Sequence, residues 1–298
     1  MKVFLVRVLA VFSLLILFSP NSFAMAAAEK PFLWRITSQD ATVYLLGSLH
    51  AATIDMYPLP APLYKAFDES NYLVVEIDIN KIDAQTQMVA IQKHGLYTDG
   101  SRIDQHISKE SWQKLKDYLK SRKMSEAMML GMKPWLINLT VTVGEFTRLG
   151  YDTSLGIDQH FLNRAAGKPI ISLETLDGQM KVLAGASDKE QESNLVVTLD
   201  SVEEMGEMMT TMRTLWQQGD ADALYDAIKV DSESYPDFEK QWEALLDTRN
   251  IAMAKKIKSY MASDATYFVI VGALHLGGKN GLLSLLGKQG YAVTQVLN

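Results

Sequence analysis

The chain has 298 residues, room for one large α/β domain or two small ones, and its 48% hydrophobic, 21% charged composition excludes a disordered or low-complexity protein. A net charge of −6, from 35 acidic and 29 basic side chains, argues against a nucleic-acid partner. Cysteine is absent, which excludes disulfides, a thiol nucleophile and a lipid-modified cysteine, so stability has to come from core burial.

The chain opens "MKVFLVRVLAVFSLLILFSPNSFAMAAAEK": Lys2 and Arg7 make a basic start, Val8 to Phe18 an apolar run, and Pro20 introduces small residues. This order reads as a signal peptide over residues 1–24, with Ser22 and Ala24 at the small positions of a cleavage site. The apolar run is shorter than the roughly 20 residues a membrane-spanning helix needs. The mature chain, residues 25–298, is therefore expected as one domain without a membrane anchor, in the periplasm or secreted.

"FLWRIT" and "ATVYLLGS" flank the polar "SQD" and read as two strands joined by a tight turn. "PAPLYKAFDES" has helical spacing and leads into "NYLVVEIDIN", whose apolar run suits a buried strand ending near Glu76. From about 82 to 150 the pattern is helical, with Ser108 as a cap and an interruption at Pro134. "KPIISLET" returns to strand, a second helical region runs from about 176 to 262, and "ATYFVIVGALH", "GLLSLLGKQ" and "YAVTQVL" close the chain as strand, helix, strand. Strands at both ends and helices between them predict a mixed α/β fold: a central mixed sheet built from both ends of the chain, with large helical insertions. The fifteen methionines, clustered in helical stretches, read as core and helix-face packing.

Two strand-like runs end alike, "VYLLGSLH" at 43–50 and "FVIVGALH" at 268–275, in a chain with five histidines. If both strands run parallel in one sheet, His50 and His275 fall beyond adjacent carboxyl ends, where α/β sheets bind ligands. Glu76 ends a third apolar run, where an unpaired carboxylate would be costly unless it met a cation. Two imidazoles and a carboxylate form a common ligand set for a divalent transition metal, here Mn, Co or Zn. Asp78 lies along the same strand by alternation and is the rival ligand. The other reading is a hydrogen-bonded trio that only ties strand ends together. Arg249 can reach the same pocket beside Asn250, where it would hold a substrate carboxylate or an oxyanion, as could the N–H groups of "GGKNG" at 277–281. His94, His106 and His160 have no matching partner and read as surface or packing residues. No His-Glu-x-x-His, Gly-x-Ser-x-Gly or phosphate-loop motif is present.

Taken together, "YLLGSLH", "YLVVEID", "GIDQHFLNRAAGKPIISLET", "TRNIAMAKKI" and "VIVGALHLGGKNGLLSLLGKQGYAV" resemble the TraB/PrgY/GumN family, whose animal relatives include the Wnt-cleaving Tiki proteins. The resemblance spans nearly all of the mature chain. It implies a divalent-metal-dependent proteolytic site in which His50, His275 and Glu76 hold the metal, with Glu76 either a ligand or the general base. It also draws Asp158, Glu174 and Arg249 toward the site. The first motif often carries threonine where this chain has Ser48, and the hydroxyl is kept. The expected protein is a metallohydrolase acting on a peptide or protein. The alternative, from the family's mixed functions, is a non-catalytic binder of peptide, metal or haem.

Overall fold

The computed structural model describes residues 30–229 and 236–297; the expected signal peptide lies outside them. β1 (Leu33–Thr37) and β2 (Thr42–Ser48) form the first hairpin, followed by α1 (Ala61–Glu69) and β3 (Tyr72–Val75). The helices α2 (Ala84–Gly95), α3 (Lys109–Ser121), α4 (Pro134–Arg148) and α5 (Ile157–Arg164) come next, then β4 (Ile170–Ser172). A second helical block holds α6 (Leu176–Leu183), α7 (Asp188–Asp200), α8 (Met205–Gln217), α9 (Ala221–Ile228), α10 (Pro236–Trp242) and α11 (Thr248–Tyr260). β5 (Thr266–Gly272), α12 (Leu282–Lys288) and β6 (Ala292–Gln295) complete the chain.

The sheet is mixed and ordered β4-β3-β5-β2-β1-β6, so strands from both ends of the sequence interleave as expected. β4, β3, β5 and β2 are mutually parallel, and β1 runs antiparallel between β2 and β6. β5 lies inside this parallel group, covered on both faces, and its "TYFVIVG" is buried from Tyr267 onward. That is why it reads as a continuous apolar run, whereas β6, at the sheet edge, alternates between exposed and half-buried residues.

Local signals explain several helix starts. The Ser108 hydroxyl accepts from the N–H of Ser111 as the N-cap of α3, and Ser187 and Glu190 form a capping box on α7. Pro134 does not break a helix: it occupies the first turn of α4, where its missing N–H is no loss. The main core gathers around the sheet, with Phe32, Leu45, Phe161, Phe268 and Val269 fully buried. A second apolar cluster, including Leu115, Leu119, Ile137, Val141 and Leu195, lies where α3, α4 and α7 pack together. Met129, Met209 and Met253 are buried, while Met88 and Met128 are exposed. Among the described residues, no helix is long and apolar enough to cross a membrane.

Candidate functional site

The parallel register sets the site. The carboxyl ends of four neighbouring strands deliver, in order across the sheet, Glu174 two residues past β4, Glu76 just past β3, His275 three residues past β5 and His50 two residues past β2. Residues scattered over more than 200 positions thus meet in one row.

The two Gly-x-Leu-His copies converge, but in unlike settings. Ser48 pairs with Gly272 and Gly47 with Val271, so the motifs are offset by one residue. A one-residue shift along a strand exchanges faces. Gly47 accordingly faces the core, where a β-carbon would come within 2.5 Å of the Phe32 ring. Gly272 faces the site, where a β-carbon would stand 2.9 Å from His50 Nε2 and 3.4 Å from Glu76 Oε1. The His50 side chain is 58% exposed and that of His275 only 4%.

Each histidine is held through Nδ1. Asp158, in the first turn of α5, approaches His50 Nδ1 at 3.1 Å through Oδ2; its Oδ1 receives the Ser48 hydroxyl at 2.7 Å. The backbone N–H of Asp158 donates to the same Ser48 oxygen at 3.0 Å, so the residue is tied to β2 through both its carboxylate and its main chain. Asn250, on α11, donates Nδ2 to the Asn280 carbonyl at 2.9 Å, which leaves its Oδ1 facing His275 Nδ1 at 2.6 Å. Nδ1 of His275 must then carry the proton, and Nε2 keeps its lone pair. Both Nε2 atoms face Glu76 Oε1, at 3.8 Å from His50 and 3.9 Å from His275, beyond hydrogen-bond reach.

Glu76 is heavily engaged. Its Oε1 accepts the Gly272 N–H at 2.6 Å, and its Oε2 accepts from Arg249 Nη2 at 2.5 Å and Gln179 Nε2 at 2.9 Å. Arg249 also grips Glu174, Nε to Oε1 at 2.9 Å and Nη2 to Oε2 at 2.5 Å, and its Nη1 donates to the Leu245 carbonyl at 2.9 Å. That carbonyl belongs to a π turn, Glu243–Asp247, inserted between α10 and α11. Gln179 Nε2 bonds Glu174 Oε2 as well, at 2.8 Å, completing a lattice of two carboxylates, one guanidinium and one amide.

Burial works against charging Glu76, yet His275, His50 and Arg249 together hold its pKa down to about 2. Burial pushes His275 down to about 4 despite the pull of Glu76, so it is neutral at pH 7. At His50 burial also opposes charge, but Asp158 outweighs it, with help from Glu76, and the pKa rises to about 9; its exposure screens part of that pull.

Whether a divalent cation fits can be judged from these groups. Among the described residues, no three His, Asp or Glu side chains stand closed around a common point as an ion would draw them. The donor set suits one nonetheless. Two carboxylates, Glu76 and Glu174, share the guanidinium of Arg249, and a third, Asp158, stands against His50. At His275 a nitrogen lone pair confronts a carboxylate oxygen, two acceptors that a cation between them would reconcile.

The chain matches the TraB/PrgY/gumN family model over residues 32–295. It belongs to the TraB/PrgY/gumN family. It is 26% identical over 248 residues to the uncharacterized protein YbaP of Escherichia coli (strain K12), covering 82% of this chain and 87% of YbaP, and the YbaP of Shigella flexneri matches to the same extent. No solved structure matches.

His50, Glu76, His275, Asp158, Glu174, Arg249 and Asn250, read from the sequence, are therefore all brought together here. Asp78, the rival ligand, is not: it is buried beside Lys81, 3.0 Å away, and its N–H donates to Ser172. Arg249 has its donors turned to Glu174, Glu76 and Leu245, so gripping an oxyanion would require releasing one of them. His94 pairs with Asp177, His106 stacks on Tyr97, and His160 packs among Tyr57, Tyr64 and Phe161. Gln179 and the Gly272 N–H escaped sequence reasoning. A glutamine on a short helix carries no signature, although Thr175, its N-cap, announces a helix starting directly after Glu174. A groove of about 1240 Å³ beside β1, β2, β6 and α1 holds none of the site residues; its charged lining includes Arg35, Asp55, Lys65 and Glu69.

Proposed function

We propose that this family member is an exported, metal-dependent hydrolase acting on peptides, with His50, His275 and Glu76 holding a divalent ion such as Mn, Co or Zn. The observation that carries this reading is the pair of Nδ1-anchored imidazoles whose Nε2 atoms face one carboxylate oxygen. Holding the far ring nitrogen is how proteins orient a ligating histidine and raise its basicity. The chemistry such an ion supplies is Lewis-acid polarisation of a carbonyl and activation of water.

The chain's own residues do the positioning. Asp158, fixed by Ser48, aims His50; Asn250, fixed by Asn280, aims His275; Arg249 and Gln179 hold Glu76 beside Glu174. With three N–H donors already on it, Glu76 is better suited to ligation than to collecting a proton as general base. Gly272 keeps the space between the histidines open. Export rests on the basic, apolar, small-residue order of the first 24 residues, with the periplasm as the expected compartment.

The test is turnover. Protein stripped with a chelator and reloaded separately with Mn²⁺, Co²⁺ or Zn²⁺ is incubated with a mixed peptide library and the products read by mass spectrometry. Cleavage that disappears in His275→Ala is the expected result. Binding without products under every metal would replace this reading with that of a peptide-, metal- or haem-binding protein.

A further inference from the structure

A second concavity, of about 450 Å³, is walled by Lys93, His94, Lys133, Asp177 and Lys181, from α2, the start of α4, and α6. In a chain with a net charge of −6, three lysines around one hollow are a local reversal of sign. Asp177 is the only acid on this wall, and one of its oxygens, Oδ1, takes both Lys93 Nζ at 2.6 Å and His94 Nε2 at 2.8 Å. Lys133 and Lys181 have no side-chain hydrogen bond or ion pair among the described residues. Two uncompensated ammonium groups on one concave wall repel each other, and an anion entering the hollow would relieve that repulsion.

The placement of α6 gives the hollow its meaning. Asp177 and Lys181 are four residues apart and share one face of this helix. Gln179, midway between them, points to the opposite face and bonds Glu76 and Glu174. α6 therefore stands as a partition, with the histidine site on one side and the basic hollow on the other. No residue of α6 is fully buried, and Asp177, Gly178 and Lys181 lie on its exposed side. A helix is about 10 Å across, and an extended peptide covers about 3.3 Å per residue, so the two sides are about three residues apart.

We infer that the basic hollow is a subsite for a carboxylate side chain of an acidic peptide, anchoring it about three residues from the bond presented at His50 and His275. The substrate role rests on the peptide-hydrolase reading above; the binding of the acidic peptide does not need turnover. The measurement is fluorescence anisotropy with a labelled peptide carrying three consecutive glutamates and a matched glutamine peptide, both with chelator present so that nothing is cleaved.

The wild-type chain should prefer the glutamate peptide, and Lys133→Gln with Lys181→Gln should weaken that binding by about fivefold or more, leaving the glutamine peptide unaffected. Asp177→Asn should instead tighten it, because the competing carboxylate is gone, and a gain of affinity cannot come from misfolding. Equal affinity for the two peptides, or no response to either change, overturns the proposal, as does competition by inorganic phosphate at an affinity above that of the glutamate peptide. Glutamate-dependent binding without cleavage under any metal would keep the subsite and remove the hydrolase, whereas cleavage without any preference for glutamate would do the reverse.

Discussion

Replacing Arg249 with methionine tests the lattice around Glu76 most directly. Among the described residues the guanidinium, 14% exposed, is the only cation within hydrogen-bond range of Glu76 and Glu174, whose side chains are 12% and 17% exposed, and its Nη2 lies 2.5 Å from each. Methionine keeps much of the volume but leaves two nearly buried carboxylates side by side with Gln179 as their shared donor. Removing one partner of a buried ion pair costs about 3–5 kcal/mol, since the remaining charge stays desolvated. At about 2–4 °C per kcal/mol for a chain of this size, the melting temperature should fall by about 6–20 °C. Arg249→Lys keeps the charge but loses the planar fork that bonds both carboxylates at once, so its loss should be smaller, about 1–3 kcal/mol. Adding Glu174→Gln to Arg249→Met should recover part of the stability by removing the like-charge contact. The assay is denaturant unfolding in chelator, so that no bound ion can stand in for the missing cation. If Arg249→Met lies within about 1 kcal/mol of wild type, the two carboxylates do not depend on the guanidinium and the lattice is wrong; if Arg249→Lys costs nothing against wild type, the planar fork is not what holds them.

Gly272→Ala should fold, because the added methyl meets side-chain atoms, yet it should lose most bound metal and activity by standing 2.9 Å from His50 Nε2; unchanged metal content by elemental analysis would place the ion elsewhere. His50→Ala and His275→Ala should each abolish activity, with the double variant scarcely worse, since residues acting as a unit are not additive. Their stabilities should differ: within about 1 kcal/mol of wild type for the exposed His50, and about 2 kcal/mol or more for the buried His275, whose loss leaves Asn250 Oδ1 without its partner; equal melting curves would contradict the unlike settings of the two motifs. Away from the site, Glu145 is buried against Arg122, Arg148 and Tyr118; burial alone would raise its pKa, but these hydrogen bonds outweigh it and hold it below the usual glutamate value. A carboxylate depressed in the folded state adds stability above its unfolded pKa and loses it as pH falls, so the advantage of wild type over Glu145→Gln should be full at about pH 6 and shrink progressively in the acid range below the ordinary glutamate value. A pH-independent gap between the two unfolding curves would assign the effect to packing.

The linear order of residues determined which segments are strands, because a strand covered on both faces must be apolar throughout, as "YFVIV" and "YLVV" are, and such runs stand out against the helical spacing around them. It also determined some of the residues to suspect: a carboxylate or imidazole closely following such a run emerges at the carboxyl end of its strand, as Glu76, His50 and His275 do, whereas Glu174 came under suspicion only through the family resemblance. What it could not carry is register. Both Gly-x-Leu-His copies look equivalent in one dimension, but the pairing of Ser48 with Gly272 offsets them by one residue, and the period of two in a strand turns that offset into opposite faces. Only the folded sheet therefore decided that Gly47 makes room for Phe32 while Gly272 makes room for the histidines, and that one imidazole is open to solvent while the other is buried. The same holds for Arg249 and Gln179, which reach Glu76 from helices 173 and 103 positions away: a hydrogen bond between distant residues is set by how the helices dock on the sheet, and that docking leaves no periodic trace in the sequence.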